Sequence, residues 1–319
     1  EETSINFFQD RISFAITLKC PLSCRHCLVN CGPKRKESIS TQQMFQWLRQ
    51  VAKINIIKYI SITGGEPFYD LKKLQLIIGR AKKLGFKIGV TTSAYWATDK
   101  KNTIKILNKI KGMSWIMISS DKYHQNFVPF KNVINAIQVI KKLKTCEYGI
   151  NITYAKIKEL KEWKDKISKK LMLIKISSFP ITPVGRAKNF KKNEFNYDSS
   201  WKNCNYICDN LYPYVLPNGD TFACCGDIRS AMEIKNNPLY LGNLNKTPLP
   251  SLLDRMMKNA IVQFLRVQGP FGIAKLCNRK KFSKIINQPV TKKNICHLCC
   301  NLLSNKNLLT FLHQKLKTK

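Results

Sequence analysis

Three observations predict an α/β architecture, a partial (β/α)6 TIM-like barrel followed by a small cysteine-rich unit. Short runs rich in β-branched residues alternate with amphipathic helical stretches as far as Pro180, the pattern of a parallel sheet covered by helices. Residues with chemical potential fall just after several of those runs, where a βα barrel builds its active site. Beyond Val184 the alternation stops, and Cys204, Cys208, Cys224, Cys225, Cys277, Cys296, Cys299 and Cys300 follow.

The strands expected in order are Ile12 to Leu18, Lys58 to Thr63, Phe86 to Thr92, Ser114 to Ser119, Gly149 to Tyr154 and Leu173 to Phe179. Between them, apolar residues at helical spacing predict helices at about Thr41 to Lys53, Asp70 to Leu84, Lys100 to Ile110, Lys131 to Leu143 and Ile157 to Lys170. Ser40 and Asp99 stand where N-caps belong. Six such units make an incomplete barrel, open on one side to a large substrate. The polar, lysine-rich stretch Lys188 to Lys202 places a boundary near residue 190, dividing the chain into a barrel of residues 1–190 and a second domain of residues 191–319.

The 44% apolar composition fills a core of this size. The opening, Glu1 to Asn6, has no basic segment before an apolar one, and no apolar run approaches the roughly 18 residues of a membrane span, so the chain reads as cytoplasmic and not membrane-bound. The net charge of +36 attracts polyanions or acidic peptides. Its lysines nevertheless come as scattered doublets on polar helix faces, such as Lys72-Lys73, Lys82-Lys83, Lys141-Lys142 and Lys169-Lys170, which argues against a nucleic-acid role. Thirteen cysteines in tight groups suit metal binding better than a disulfide framework, and Cys146, standing alone, reads as a core residue.

Cys20, Cys24 and Cys27 offer three thiolates from one loop, whereas a closed iron–sulfur cluster takes four, so one iron is left open. Zinc knuckles present paired C-x2-C units from two places, a poorer match to this triple. Gly64-Gly65-Glu66-Pro67 follows the second strand. Both motifs, each at the end of its own strand, resemble the radical S-adenosylmethionine enzymes. The resemblance implies that S-adenosylmethionine chelates the open iron and is cleaved to a 5′-deoxyadenosyl radical. It also implies that Gly64 and Gly65 let the backbone approach that ligand, and that Glu66 accepts from its ammonium group. Ser93 and Asn151 lie where members of this family contact its ribose or carboxylate. Asp121, Lys122, Tyr123 and His124 converge directly after the fourth strand, with Asp121 assigned to the cofactor side and His124 open to a packing role.

The C-terminal cysteines call for a second metal site, with Cys208, Cys224, Cys296 and Cys299 as a four-thiolate set. Cys204 and Cys300 stand as alternative ligands, zinc as an alternative metal, and Cys31 and Cys277 without a role. Auxiliary-cluster domains of the SPASM or Twitch kind recur in radical enzymes that modify ribosomally made peptides, and Pro183-Val184-Gly185-Arg186-Ala187 resembles their segment after strand six. Within that group the chain is similar to the peptide epimerases of epipeptide biosynthesis. The residues carrying this likeness are the cysteine triple with Cys31, Ser61 to Glu66, Asp121-x-Tyr123-His124 with Phe127-Val128, Phe179-Pro180-Ile181, Cys208 with Cys224-Cys225, and Ile295-Cys296-x-x-Cys299. Arg186, Cys204, Cys277 and Cys300 depart from it.

This resemblance implies two [4Fe-4S] clusters, S-adenosylmethionine, a ribosomally made precursor peptide, an external electron donor of flavodoxin or ferredoxin type, and Cys225 as hydrogen-atom donor. The donor role has a separate argument: Phe222 to Cys225 reads as a strand returning from the turn Pro217 to Asp220, so Cys224 and Cys225 would point to opposite faces. The competing readings are a peptide maturase forming thioether or carbon–carbon crosslinks, and a non-catalytic cysteine-rich metalloprotein that binds nucleic acid.

Overall fold

A computed structural model describes residues 10–198, 200–208 and 210–316. The opening segment, read above for a targeting signal, lies outside the described residues. Six strands, β1 Arg11–Thr17, β2 Tyr59–Gly64, β3 Lys87–Thr92, β4 Trp115–Ser119, β5 Glu147–Tyr154 and β6 Lys175–Pro180, pair in parallel in chain order. They alternate with α1 Thr41–Val51, α2 Leu71–Lys83, α3 Lys100–Lys109, α4 Phe130–Leu143 and α5 Ile157–Ser168. This is the partial (β/α)6 barrel the sequence predicts.

Its two faces follow from strand alternation. Ile12, Phe14 and Ile16 of β1 join the main apolar core with Met44, Trp47, Leu48 and Val51 of α1, and the Phe14 and Trp47 rings stack at 6.0 Å. Ser13, Ala15 and Thr17 therefore point into the barrel. Both expected caps form: Ser40 Oγ accepts from Gln43 N at 3.1 Å, and Asp99 Oδ1 from Asn102 N at 2.7 Å. The lysines of the doublets named above are exposed, save Lys73, which is half-buried and donates to Ser38 Oγ at 2.8 Å. Cys146 is only half-buried, packed against the core rather than within it.

The amino-terminal end of the barrel is closed by aromatic packing. A Cβ on Gly89 would fall 1.8 Å from the Trp115 ring, so only glycine lets that indole lie across the interior. The Arg11 guanidinium sits 5.6, 5.8 and 5.9 Å from the Tyr59, Trp115 and Tyr212 rings. Access is left to the carboxyl ends of the strands.

Past residue 190 come β7 Tyr197–Asp198, β8 Tyr214–Val215, β9 Asp220–Phe222, α6 Ile228–Ala231, β10 Tyr240–Asn243, α7 Leu249–Lys258, α8 Ala260–Leu276, α9 Ser283–Ile286, β11 Val290–Thr291, α10 Ile295–Leu303 and α11 Lys306–Leu316. Of these strands, β8 pairs in parallel with β1, and β9 and β10 follow antiparallel, giving one nine-stranded sheet in the order β10-β9-β8-β1-β2-β3-β4-β5-β6. The C-terminal part thus extends the barrel sheet at its β1 edge. It also reaches the other edge, because Asn294 Nδ2 donates to Pro180 O at 3.3 Å and Thr182 Oγ1 at 2.9 Å, just past β6. The open side of the barrel is spanned rather than left free. Among the described residues no helix is long and apolar enough to cross a membrane.

Candidate active site

The cysteine loop leaves β1 and returns to it. Cys20 N donates to Gly32 O and Gly32 N to Leu18 O, both at 3.2 Å, which pinches residues 20–31 into a closed loop over the barrel mouth. Cys20, Cys24 and Cys31 are buried and Cys27 half-buried. Backbone donors already face two of the sulfurs: Leu22 N lies 3.4 Å from Cys20 Sγ, and Cys31 N 3.3 Å from Cys27 Sγ. Burial pushes the Cys20 thiol up to about 12 and drives Cys24 in the same direction. Cys27 goes the other way, held down chiefly by a hydrogen bond from the Cys31 thiol.

Arg186, one of the departures noted above, clamps this loop from the far edge of the barrel. Its Nε donates to Cys24 O at 3.0 Å, its Nη2 to Cys31 O, and its backbone N to Cys27 O at 3.0 Å. Gly185 before it has φ 58°, and a Cβ there would stand 2.1 Å from Leu28 O, so glycine alone permits the approach.

Gly64 and Gly65 make the same kind of contact. A Cβ on Gly64 would lie 2.2 Å from Thr17 O, and one on Gly65 2.2 Å from Lys19 O. What a Cβ would meet is the chain itself, so these glycines are required where the two loops touch. They seat the second loop on the start of the cysteine loop, with Gly65 N donating to Thr17 O at 2.6 Å and Glu66 N to Lys19 O at 3.0 Å.

Glu66 is 1% exposed and fully engaged. Its Oε1 accepts from Phe68 N at 3.1 Å and Thr92 Oγ1 at 2.7 Å, and its Oε2 from Ser93 N at 2.9 Å and Ser93 Oγ at 2.6 Å. Burial raises the carboxyl's pKa, and these four donors oppose it. Glu66 is thus a brace joining the ends of β2 and β3, and direct acceptance from an ammonium group requires one of these donors to give way.

Asp121 is equally committed. Tyr123 N and His124 N donate to its Oδ1 at 2.9 and 3.0 Å, and Thr153 N and Thr153 Oγ1 to its Oδ2 at 3.2 and 2.6 Å. His124 Nδ1 completes the set, 2.8 Å from Oδ2. Burial works to raise the Asp121 carboxyl, but the His124 ring outweighs it and holds the group below the usual carboxylate range. Contact between Asp121 and a cofactor would therefore run through His124 or through His26, whose ring is 4.7 Å from that of His124. His26 lies inside the cysteine loop with its Nδ1 buried and without a protein partner, and burial lowers its pKa to about 4. Asn151 of β5 pairs in register with Ser119 and Ser177, on the interior face beneath this group.

A second constellation lies in the C-terminal part. Cys208, Cys224, Cys296 and Cys299 line one small cavity, with Gly226, Asp227, Leu265 and Pro270 among its other walls. Cys296 and Cys299 share a face of α10, three residues apart. Cys204 and Cys277 are wholly buried in the apolar core, while Cys300 lines a separate cleft with His297 and Ser304. The kink at Gly269, φ 62°, brings Pro270 to the cavity and packs α8 under residues 206–208.

Cys225 is turned elsewhere. β9 ends at Phe222, so the expected strand through Cys225 is corrected: pairing with β10 stops there, and Cys224 and Cys225 occupy the turn that follows. Their sulfurs still diverge. Cys225 Sγ faces Asn210 O at 3.8 Å and is not among the sulfurs that line that cavity. Burial raises the Cys225 pKa and keeps it a neutral thiol.

The spacing of the two donor sets can be set against that of a single zinc ion. Four sulfurs on one tetrahedral zinc at about 2.3 Å would stand about 3.8 Å apart. Among the described residues no three cysteine sulfurs lie within 4.8 Å of one another, the one such metal-competent group being His26, Asp121 and His124. Among the described residues neither set is drawn in to the spacing of a single tetrahedral zinc. Gly226 tests the second set. A Cβ there would lie 3.0 Å from Cys224 Sγ and 3.5 Å from Cys296 Sγ. Gly226→Ala is expected to cost the C-terminal cluster, lowering iron in the anaerobically reconstituted protein from about eight to about four per chain.

Sequence reasoning passed over Thr92, Tyr212 and Arg229. Arg229 stacks 3.8 Å over the Tyr214 ring, beside Cys225.

Comparison with known proteins agrees with this geometry. Residues 14–167 match the family model of the Radical SAM superfamily. YydG of Bacillus subtilis (strain 168), provisionally named for peptide biosynthesis, is 21% identical over 310 residues, 96% of each chain. Among solved structures, anSMEcpe with bound AdoMet has a TM-score of 0.59 at 12% identity, covering 97% of this chain and 98% of its own. SuiB of Streptococcus suis, bound to its precursor peptide SuiA, has a TM-score of 0.58 at 18% identity, covering 94% of this chain and 74% of its own. At these identities the solved structures speak for the fold.

Proposed function

We propose that this chain, which carries a radical S-adenosylmethionine domain over residues 14–167, is a peptide epimerase that converts L residues of a ribosomally made precursor to D residues. Cys20, Cys24 and Cys27 would hold the catalytic [4Fe-4S] cluster, and Cys208, Cys224, Cys296 and Cys299 an auxiliary one. When bound, the catalytic cluster and S-adenosylmethionine supply the 5′-deoxyadenosyl radical that takes a hydrogen atom from a peptide Cα. The protein's share is to orient the partners and exclude stray reactions. Glu66 and Ser93 keep the mouth loops in register, His26, Asp121, His124 and Asn151 line the cofactor side, and the aromatic plug at Trp115 blocks the far end. The division near residue 190 then separates radical generation from hydrogen return.

The observation that carries the reading is the divergence of two adjacent cysteines. Cys224 lines the cavity of the auxiliary set, whereas Cys225 does not line it and its sulfur faces Asn210 O. Inversion needs a second hydrogen from the face opposite the first, and a neutral thiol can give one. The S–H bond breaks as a C–H bond forms, and one electron plus one proton must then restore the thiyl. An external donor of flavodoxin or ferredoxin type supplies that electron. YydG, with its name drawn from peptide biosynthesis, and SuiB, seen with its precursor peptide, support a peptide substrate. A crosslinking maturase would use the same two cysteine sets but has no need of a free donor thiol.

Because S–H exchanges with solvent, turnover in D2O is expected to raise product mass by one unit per event, with one deuterium on each inverted Cα. A product lighter by two units would assign a crosslinking reaction instead.

A further inference from the structure

The amino-terminal end of the barrel, opposite the cysteine loop, carries a projecting apolar turn between α5 and β6. Leu171 N and Lys170 N both donate to Ile167 O, at 2.8 and 3.0 Å, which closes the turn onto the end of α5. Leu171 is buried and Ile174 packs against the main core, so the turn is anchored on both sides. The two residues between them reach out: Met172 is 81% exposed and Leu173 100%. Leu173 also has φ 53°, a left-handed conformation that disfavours any residue with a Cβ. In water this leucine gains nothing from either its exposure or its backbone.

The turn stands among cations. Lys169, Lys170 and Lys175 flank it in sequence and are exposed. Lys175 pairs with Gly149 across β6 and β5, which brings the turn beside the one joining α4 to β5, where Lys142 and Lys144 are exposed as well. The acidic groups on these same segments are Glu147 and Asp165. All five barrel helices end at this face with a basic residue in the last turn. Helix dipoles account for those terminal charges, but not for the lysines of the turns or for the leucine between them.

We infer that this end of the barrel is a peripheral docking face for an anionic bilayer, with Met172 and Leu173 entering the headgroup layer and the lysines around them lying against its acidic lipids. The inference is independent of the epimerase reading. It departs from the expectation of a chain that is not membrane-bound, which rested on the lack of a spanning run; peripheral docking needs none. Lysines alone would fit any polyanion, nucleic acid included. The apolar pair selects the bilayer, because a phosphate backbone offers it nothing to be buried in. An apolar insertion together with a basic patch supplies the two signals that hold a protein at a membrane surface. Docking by this end also leaves the barrel mouth, at the carboxyl ends of the strands, facing solvent and open to a peptide.

The test is flotation of the full chain with vesicles of phosphatidylcholine, alone or mixed with phosphatidylglycerol. The wild type is expected to float with the mixed vesicles, to detach as salt rises, and to ignore pure phosphatidylcholine. Met172→Gln with Leu173→Gln removes the apolar tip without altering charge, and should lower the bound-to-free ratio about tenfold or more at unchanged Tm. Replacing Lys169, Lys170 and Lys175 by Gln should weaken binding by about fivefold per charge at low salt. Leu76→Gln, at a side chain 44% exposed midway along α2, should leave binding unchanged. A wild type that does not float with the mixed vesicles overturns the inference. So does full binding by the Met172→Gln/Leu173→Gln protein, which would make the face a general polyanion surface; duplex RNA bound equally by both proteins would then assign it to nucleic acid. A loss in Leu76→Gln as large as that in the turn variant would also count against it, since the turn would not be the site.

Discussion

Replacing Cys20, Cys24 and Cys27 together by alanine is expected to halve the iron of the reconstituted protein, from about eight to about four per chain, and to abolish reductive cleavage of S-adenosylmethionine whether or not peptide is present. The three sulfurs come from one loop pinched shut at Cys20–Gly32, apart from the cavity that Cys208, Cys224, Cys296 and Cys299 line. The remaining iron should belong to the set at Cys208, Cys224, Cys296 and Cys299, walled off in its own cavity. Iron analysis and detection of 5′-deoxyadenosine check both halves of the expectation. A wild-type protein holding zinc alone, or a triple variant that still cleaves the cosubstrate, would overturn the cluster assignment. Loss of all iron from the triple variant would mean that the two sets do not assemble independently.

How much of this was legible follows from the range over which each feature is determined. Strand and helix identities are local: Ile12, Phe14 and Ile16 alternate with polar or small residues, and α1 repeats its apolar positions at helical spacing, so the six units fall within a few residues of expectation. The caps at Ser40 and Asp99 are local for the same reason. Glycine roles are not. A sequence does not reveal that Thr17 O and Lys19 O arrive at the Cα atoms of Gly64 and Gly65. Arg186 looked like a departure from pattern, and only the closure of the barrel edge brings it to the carbonyls of Cys24 and Cys31. The same holds for Glu66, whose four donors come partly from a strand end 26 and 27 residues away.

The second cysteine group shows a middle case. The pair Cys296 and Cys299 is legible because three residues along a helix share a face. The choice of Cys208 over Cys204, and of Cys299 over Cys300, rests on how α8 and α10 pack around the cavity, and no local spacing encodes that. Of the strands added to the β1 edge, the sequence offered only the return strand after the turn Pro217 to Asp220, set too late, since β8 has two residues and β9 three, too short for alternation to register.

The largest chemical difference is expected between two neighbouring substitutions. Cys224→Ala removes a sulfur from the cavity shared with Cys208, Cys296 and Cys299, so the spectrum and iron content of the auxiliary site should change. Cys225→Ala leaves that cavity intact, because its sulfur faces Asn210 O and does not line it. It should therefore keep about eight irons and still form 5′-deoxyadenosine with the peptide, yet yield no D residue. With its partner hydrogen gone, the Cα radical should be diverted to other products, and solvent deuterium should be missing from the inverted position. Chiral amino-acid analysis of the hydrolysed product, with mass spectrometry after turnover in D2O, measures both. If Cys225→Ala still delivered D residues carrying one solvent deuterium, another group would be returning the hydrogen. The epimerase mechanism through Cys225 would then fall, while the match of residues 14–167 to the Radical SAM superfamily would be untouched.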